Sequence, residues 1–391
     1  MEKKKILIFI DWFLPGFRAG GPIQSISNLI SHLKDEFDFS VVTRNTDYCE
    51  EKPYPDVVSD EWNVLENGTR VYYFSQKRLN RRAIKRLILD EDFDVVYLNG
   101  LFSIYFTLIP LYYLKRIFSL RLDLKSSNKK VIVSVRGMLG SGALSIKSSK
   151  KQVFLSSAKI VGLFSNVIFH ASNQEEARQV RLYFGHRQKI RIAPNLSKKQ
   201  PLKLPLKKEK NKGSLKLINI ARISSEKGLE EALEILQKVK SNVEFDFYGP
   251  IYDKQYWAKC EKLIQQMPEN VKVSYKGSIE SSLIHEKFND YHFLFMPTKG
   301  ENFGHIIVEA LSAACPVIIS DETPWKYLEE RHAGWDIPLN KKKDFIEAIE
   351  SAANMEQQEY QEWEQGALKF SMEIIHNDEA VEQNRKLFLD L

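Results

Sequence analysis

The chain has 391 residues, 43% of them apolar, with 57 Lys and Arg against 51 Asp and Glu for a formal net charge of +6. That length exceeds one comfortable hydrophobic core and predicts two domains of ordinary soluble composition. Three scattered cysteines, Cys49, Cys260 and Cys315, lack C-x-x-C spacing, which argues against a disulfide scaffold or a zinc site and for a reduced, cytosolic setting.

The N-terminus reads M-E-K-K-K-I-L-I-F-I-D, with too few apolar residues before Asp11 for a secretory core, and is expected to form the first strand of an α/β domain. Behind it Gly20 and Gly21 precede a periodic helix carrying Ile23, Ile26, Leu29 and Ile30, so amides at a helix start can approach an oxyanion. The spacing is not G-x-G-x-x-G, and no dinucleotide fingerprint is met. Further strands are expected at residues 39–43, 71–74, 95–98, 131–135, 167–170 and 190–193. D-F-D at Asp92 to Asp94 sits where a helix hands over to a strand and reads as structural.

The longest uncharged run, residues 95–114, is about bilayer length, but Asn99, Gly100, Ser103 and Pro110 interrupt it and its start reads as a separate strand. V-I-V-S-V-R-G-M-L-G then places Arg136 and Gly137 at a strand end, where open α/β sheets put ligands. Charge is uneven: residues 1–195 hold 30 Lys and Arg against 19 Asp and Glu, and the rest 27 against 32. Basic clusters sit at Arg78, Arg81, Arg82, Lys85 and Arg86, and at Lys115, Arg116 and Arg121 with Lys125, Lys129 and Lys130 following. A solvated face explains them by default; the aromatic residues interleaved over residues 111–124 also suit an anionic membrane surface.

Residues 197–214, dominated by Lys and Pro, read as an interdomain connection. Beyond it strands are expected at 216–221, 243–248, 271–275, 293–296, 316–320 and 335–337, again alternating with helices. Two segments carry chemistry. L-I-N-I-A-R-I-S-S-E-K-G (residues 217–228) ends a strand at Ala221, offers Arg222 and Lys227 in a polar loop, and opens a helix near Gly228. A planar fork and a point charge at a strand's carboxyl end suit a diphosphate. P-T-K-G-E-N-F-G-H-I-I-V-E-A-L (residues 297–311) is strand, turn and helix, with Glu301 and Glu309 roughly 12 Å apart if Gly304 opens the helix. Free amides there would face negative charge.

These two segments resemble the G-R-x-x-x-x-K-G stretch, with Ala221 in place of the first glycine, and the E-x7-E signature of the family 4 retaining glycosyltransferases. F-H-A-S-N-Q-E-E-A (169–177) and I-A-P-N (192–195) resemble the same family, and R-G-M-L (136–139) and D-E-T-P-W (321–325) resemble its bacterial subset that assembles surface polysaccharide; Pro324 also suits a helix start. The resemblance implies a GT-B fold, two Rossmann-like doubly wound domains facing a central cleft: an acceptor-binding domain over 1–196, the 197–214 connection, a donor-binding domain over 215–375, and a C-terminal helix over 376–391 crossing back to the first domain.

By the same resemblance, the chain transfers a hexosyl or N-acetylhexosaminyl group, with retention and without metal or cofactor, from a nucleotide-diphosphate sugar to a hydroxyl of a growing, lipid-linked surface glycan. Arg222, Lys227 and Glu301 carry the catalytic roles, Glu301 by positioning sugar hydroxyls. Glu309 holds the ribose, Asn302, Phe303 and Gly304 line the diphosphate, Gly277 seats the base, and Gly20 and Gly21 face the donor. Arg136, which stands where relatives carry a sugar-contacting histidine, and Asn99 are expected on the acceptor side, and a histidine role does not transfer. The expected location is cytoplasmic, with peripheral contact to the inner membrane face, and nucleic acid is not an expected partner. A sugar-nucleotide epimerase of the same fold and a non-catalytic carbohydrate-binding partner are the alternative readings.

Overall fold

A computed structural model describes residues 3–119, 129–140, 148–199 and 208–389. The chain divides into two units, Met1–Lys199 with Asp378–Leu391, and Gln200–Asn377. Arg121 and Lys125 lie outside the described residues.

The first unit is an eight-stranded sheet of β1 (Lys4–Phe9), β2 (Phe37–Arg44), β3 (Trp62–Val64), β4 (Arg70–Phe74), β5 (Val95–Asn99), β6 (Lys130–Ser134), β7 (Ile168–Ala171) and β8 (Lys189–Ile192). Their spatial order is β3-β4-β2-β1-β5-β6-β7-β8, and all neighbours are parallel except β3 and β4. Side chains alternate along β1, and both faces are covered: Ile6 and Ile8 pack with Ile23, Ile26 and Leu29 of helix Gly21–Leu33, while Leu7 and Phe9 share a core with Ile84 and Leu111 from the other side. The edge strand β3 has no counterpart among the expected strands, because three residues are too short for alternation to register. The uncharged run breaks at Gly100, whose φ is +113°, into β5, a π-helical turn Ile104–Leu108 and helix Ile109–Ser119. Among the described residues, no helix is long and apolar enough to cross a membrane.

The last helix, Asp378–Leu389, completes this unit from the far end of the sequence. The Phe388 ring centroid lies 5.3 Å from that of Phe37 and 5.9 Å from that of Phe39, burial that stabilises by about 2–3 kcal/mol. Asn384 Nδ2 donates to the Pro194 carbonyl at 2.7 Å, and Lys4 Nζ to the Phe388 carbonyl at 3.0 Å, where a cation complements a helix C-terminus.

The second unit is a six-stranded parallel sheet of β9 (Ser214–Ile220), β10 (Asn242–Tyr248), β11 (Val271–Tyr275), β12 (Phe293–Met296), β13 (Val317–Ser320) and β14 (Gly334–Ile337). The order β11-β10-β9-β12-β13-β14 is the doubly wound pattern 3-2-1-4-5-6, in which the chain reverses direction between its first and fourth strands. Here that switch point lies between β9 and β12, and in the first unit the corresponding one lies between β1 and β5. Part of the stretch read as a connection is built into this unit. Lys208 Nζ donates to the Ala314 carbonyl at 2.8 Å and Lys210 Nζ to the Ala353 carbonyl at 2.7 Å, each just beyond or at a helix C-terminus, so buried ammonium groups satisfy carbonyls that the helices leave open. Burial pushes the Lys210 ammonium down to about 8.

Candidate active site

In the second unit, the loops after β9, β10, β11, β12 and β13 all emerge at the carboxyl edge of the sheet, and glycines let them touch. Gly228 (φ +73°) opens helix Leu229–Leu236, and a Cβ there would lie 1.9 Å from the Pro297 carbonyl oxygen. The loop carrying Arg222 and Lys227 is therefore in backbone contact with the loop carrying Glu301. Lys299 N donates to the Glu226 carbonyl at 2.9 Å, and Thr298 Oγ1 to the same oxygen at 3.0 Å, locking the two loops together. Gly249 makes an equally close approach to Ala221, and its amide donates to the Gly277 carbonyl at 2.8 Å.

Across the β9/β12 switch point Lys227 Nζ donates to Glu301 Oε1 at 2.6 Å, with the side chains only 18% and 13% exposed. Both groups are thus held in a geometry typical of charge-assisted bonds, with little solvent screening. Glu301 is anchored from behind, its amide donating to the Glu322 carbonyl at 2.9 Å. Arg222 lies nearby on β9's loop, 3.7 Å from Glu226 Oε1 and with its guanidinium 5.7 Å from the Tyr252 ring centroid.

Gly304, in the left-handed region at φ +73°, N-caps helix His305–Ser312, so Glu309 lies within the helix and Glu301 ahead of it. Phe303 is fixed by Trp325, whose Nε1 donates to the Phe303 carbonyl at 2.6 Å while the rings meet edge to face at 5.1 Å. That explains D-E-T-P-W: the motif buttresses the E-N-F-G turn. The expected helix start at Pro324 is corrected, because the segment runs as bends and turns, with Tyr327 at φ +58° and the Asp336 carboxylate capping Leu328 N at 2.9 Å. Asn302 and Phe303 lie on this turn, and Gly277 (φ +76°) follows β11. Trp325 falls within D-E-T-P-W and Glu226 within residues 217–228, but the sequence pointed to a role in the site for neither, and Tyr252 was missed altogether.

In the first unit Gly20 (φ +69°) N-caps helix Gly21–Leu33, with open space where a Cβ would stand. Arg136 and Asn99 come together at the ends of β6 and β5. Arg136 Nε donates to Asn99 Oδ1 at 2.8 Å, its Nη2 to Tyr97 Oη at 2.9 Å, and its Nη1 to Asn195 Oδ1. The Tyr97 hydroxyl in turn meets His170 Nδ1 at 2.7 Å, and His170 Nε2 the Ala193 carbonyl at 2.8 Å. Burial, reinforced by Arg136, pushes His170 down to about 3. Glu176 accepts from the amide of Ser172 at 2.6 Å and from that of Gly137. The strings F-H-A-S-N-Q-E-E-A and I-A-P-N are therefore parts of one polar scaffold under the Arg136 loop. Asp92 and Asp94 sit at the opposite end of the sheet, holding Lys5 Nζ at 2.9 Å and its amide at 2.8 Å. Among the described residues no group of three or more His, Cys, Asp or Glu is placed to hold a metal ion.

Residues 203–370 match the family of Glycosyl transferases group 1. No curated protein matches the sequence. Among solved structures, the chain is similar to sucrose-phosphate synthase of Thermosynechococcus elongatus, with TM-score 0.71 and 14% identity over 100% of this chain and 99% of that one. It is similar to HepE of Anabaena, solved with UDP and glucose, with TM-score 0.69 and 14% identity over 99% and 100%. TarM of S. aureus, solved with UDP among other ligands, gives 0.65 and 13% over 98% and 99%. The two doubly wound units and these likenesses are those of the GT-B fold.

Proposed function

From a second unit that matches the group 1 glycosyltransferases, we infer that this protein moves a sugar from a nucleotide-diphosphate donor to an acceptor hydroxyl, with retention at the anomeric carbon. The observation that carries the reading is the 2.6 Å bond between Lys227 and Glu301 across the β9/β12 switch point, where open α/β sheets bind ligands. A diphosphate entering there meets Lys227 and Arg222, which stabilise the charge that develops as the donor bond breaks. Lys227 then exchanges its bond with Glu301 for one with phosphate, and the freed carboxylate accepts hydrogen bonds from donor-sugar hydroxyls. Glu309 takes the ribose hydroxyls, and the amides opening helix His305–Ser312 add their dipole to the phosphates.

In this reading the acceptor oxygen attacks the face from which the nucleotide leaves, and the departing phosphate oxygen takes the acceptor's proton. No protein nucleophile or metal is required. The acceptor is a growing, lipid-linked bacterial surface glycan, and the basic face described below holds the enzyme against the membrane that carries it.

Calorimetry with UDP and GDP tests the donor site. The wild type is expected to bind one of them, and Lys227→Ala and Glu309→Ala each to weaken it by about tenfold to a hundredfold, the value of one or two charged hydrogen bonds. Absence of binding to both nucleotides, or unchanged affinity in both variants, would sink the assignment.

A further inference from the structure

The switch point of the first unit carries a second polar bond between loops. Ser103 Oγ, beyond β5, donates to Asp11 Oδ1, beyond β1, at 2.9 Å. Arg44, the last residue of β2, reaches the same oxygen from Nη2 at 3.5 Å. Three neighbouring strand ends thus converge on one carboxylate, and both hydrogen bonds fall on Oδ1.

Half-buried rings surround these groups. The Arg44 guanidinium lies 5.8 Å from the ring centroids of both Trp12 and Tyr105, and Trp12 meets Tyr48 edge to face at 4.8 Å. The cluster is incompletely satisfied as it stands. Its ion pair is long beside the 2.7–2.9 Å usual for charged bonds, and Arg44 Nε is shielded from water without a hydrogen-bond partner. A buried polar group left unpaired costs about 1–3 kcal/mol, so the arrangement calls for an explanation beyond stability. Asp11 and Arg44 also remain 22% and 27% exposed, within reach of a solute. Burial raises the Asp11 carboxyl above the ordinary aspartate range, against the Ser103 bond and the charge of Arg44.

We propose that Asp11, Arg44 and the rings of Trp12, Tyr48 and Tyr105 form a pyranose-binding subsite at the β1/β5 switch point, which receives a neutral sugar ring of the acceptor. A pyranose presents an apolar C–H face bounded by a rim of hydroxyls. The indole and phenol rings match the face, Asp11 accepts from the rim hydroxyls, and Arg44 donates to them. The carboxylate selects against the phosphates of a lipid-linked acceptor, so the sugar and not the anionic head group occupies this place. The inference rests on the glycosyltransferase reading but concerns residues that the donor site does not use.

Saturation-transfer NMR on the full chain with methyl α-glucopyranoside, methyl β-galactopyranoside and methyl N-acetyl-β-glucosaminide tests it. At least one is expected to bind the wild type. Asp11→Asn and Trp12→Ala should weaken it by about tenfold or more, the value of one hydrogen bond or one ring face, whereas Trp12→Phe retains most of the binding. Thermal unfolding of each variant confirms that the first unit is intact. No binding of any pyranoside to the wild type, or wild-type affinity retained by both Asp11→Asn and Trp12→Ala, overturns the subsite. UDP or GDP calorimetry on the same samples separates this from the donor reading: retained nucleotide affinity with no response to pyranosides refutes the subsite alone.

Discussion

Gly228→Ala probes whether the two loops of the candidate site are held by contact or merely by proximity. The new Cβ would stand 1.9 Å from the Pro297 carbonyl oxygen, 2.7 Å from its carbon and 3.2 Å from Thr298 N, all backbone atoms that cannot turn aside. An alanine at φ +73° carries about 1–2 kcal/mol of left-handed strain, and forcing the loops apart adds about 1–3 kcal/mol. Gly277→Ala supplies the control, because Gly277 shares the positive φ, at +76°, but has no atom within 4 Å of the added carbon. It should cost only the strain. Urea unfolding of both variants measures the difference, expected at about 1–3 kcal/mol. Because Lys227 immediately precedes Gly228 and Glu301 follows Pro297 on the partner loop, Gly228→Ala should also weaken nucleotide binding by about tenfold or more. If both variants unfold within about 0.5 kcal/mol of each other, the interlocking argument is refuted.

Acid should destabilise both units. His170 is pushed down to about 3 and His292 to about 4, both chiefly by burial, so between those values and the ordinary 6.5 the folded chain binds fewer protons than the unfolded one. Stability is therefore fully present above about pH 6.5 and falls by about 1.4 kcal/mol per pH unit for each histidine as pH drops; a urea midpoint that does not move between pH 7 and pH 5 would contradict this. A basic face comes from helix Arg81–Asp90, where Arg81, Arg82, Lys85 and Arg86 are exposed, and from helix Ile109–Ser119, where Arg116 Nη1 donates to the half-exposed Tyr112 hydroxyl at 2.6 Å. Co-sedimentation with phosphatidylglycerol vesicles should exceed that with phosphatidylcholine and drop by about a hundredfold or more when those four cations become serine, at about 1 kcal/mol each; equal partitioning to both vesicles would exclude the membrane role.

The parallel strands were legible because buried strands read as short apolar runs between turns, and every strand expected from such a run is present. Each half of the candidate site was legible too, since Lys227 and Glu301 sit in recognisable strand-loop-helix segments. Their bond was not, because it joins positions 74 apart and exists only where β9 and β12 become neighbours. The same limit hid the Arg136 scaffold, whose partners Tyr97 and Asn99 lie on β5 and Asn195 beyond β8, 37 to 59 positions from Arg136. Pro324 misled because proline fits a helix start and a turn alike, and the choice was made by Asp336, beyond the reach of local pattern. Lysines 208 and 210 looked like solvated linker charges; helix-end carbonyls, invisible to composition, drew them inside.

The helix Asp378–Leu389 gives the first unit a discontinuous sequence, with residues 200–377 inserted between its sheet and its final helix. Chains emerge from the ribosome in order, and domains generally fold as units. The sheet that is made first must therefore wait, with Phe37, Phe39 and Tyr97 lacking the aromatic cover of Phe388, until the unit made second has been completed. The unit whose sheet is translated first is thus the one whose aromatic cover is translated last, whereas residues 200–377 hold every strand of the second unit in one continuous stretch.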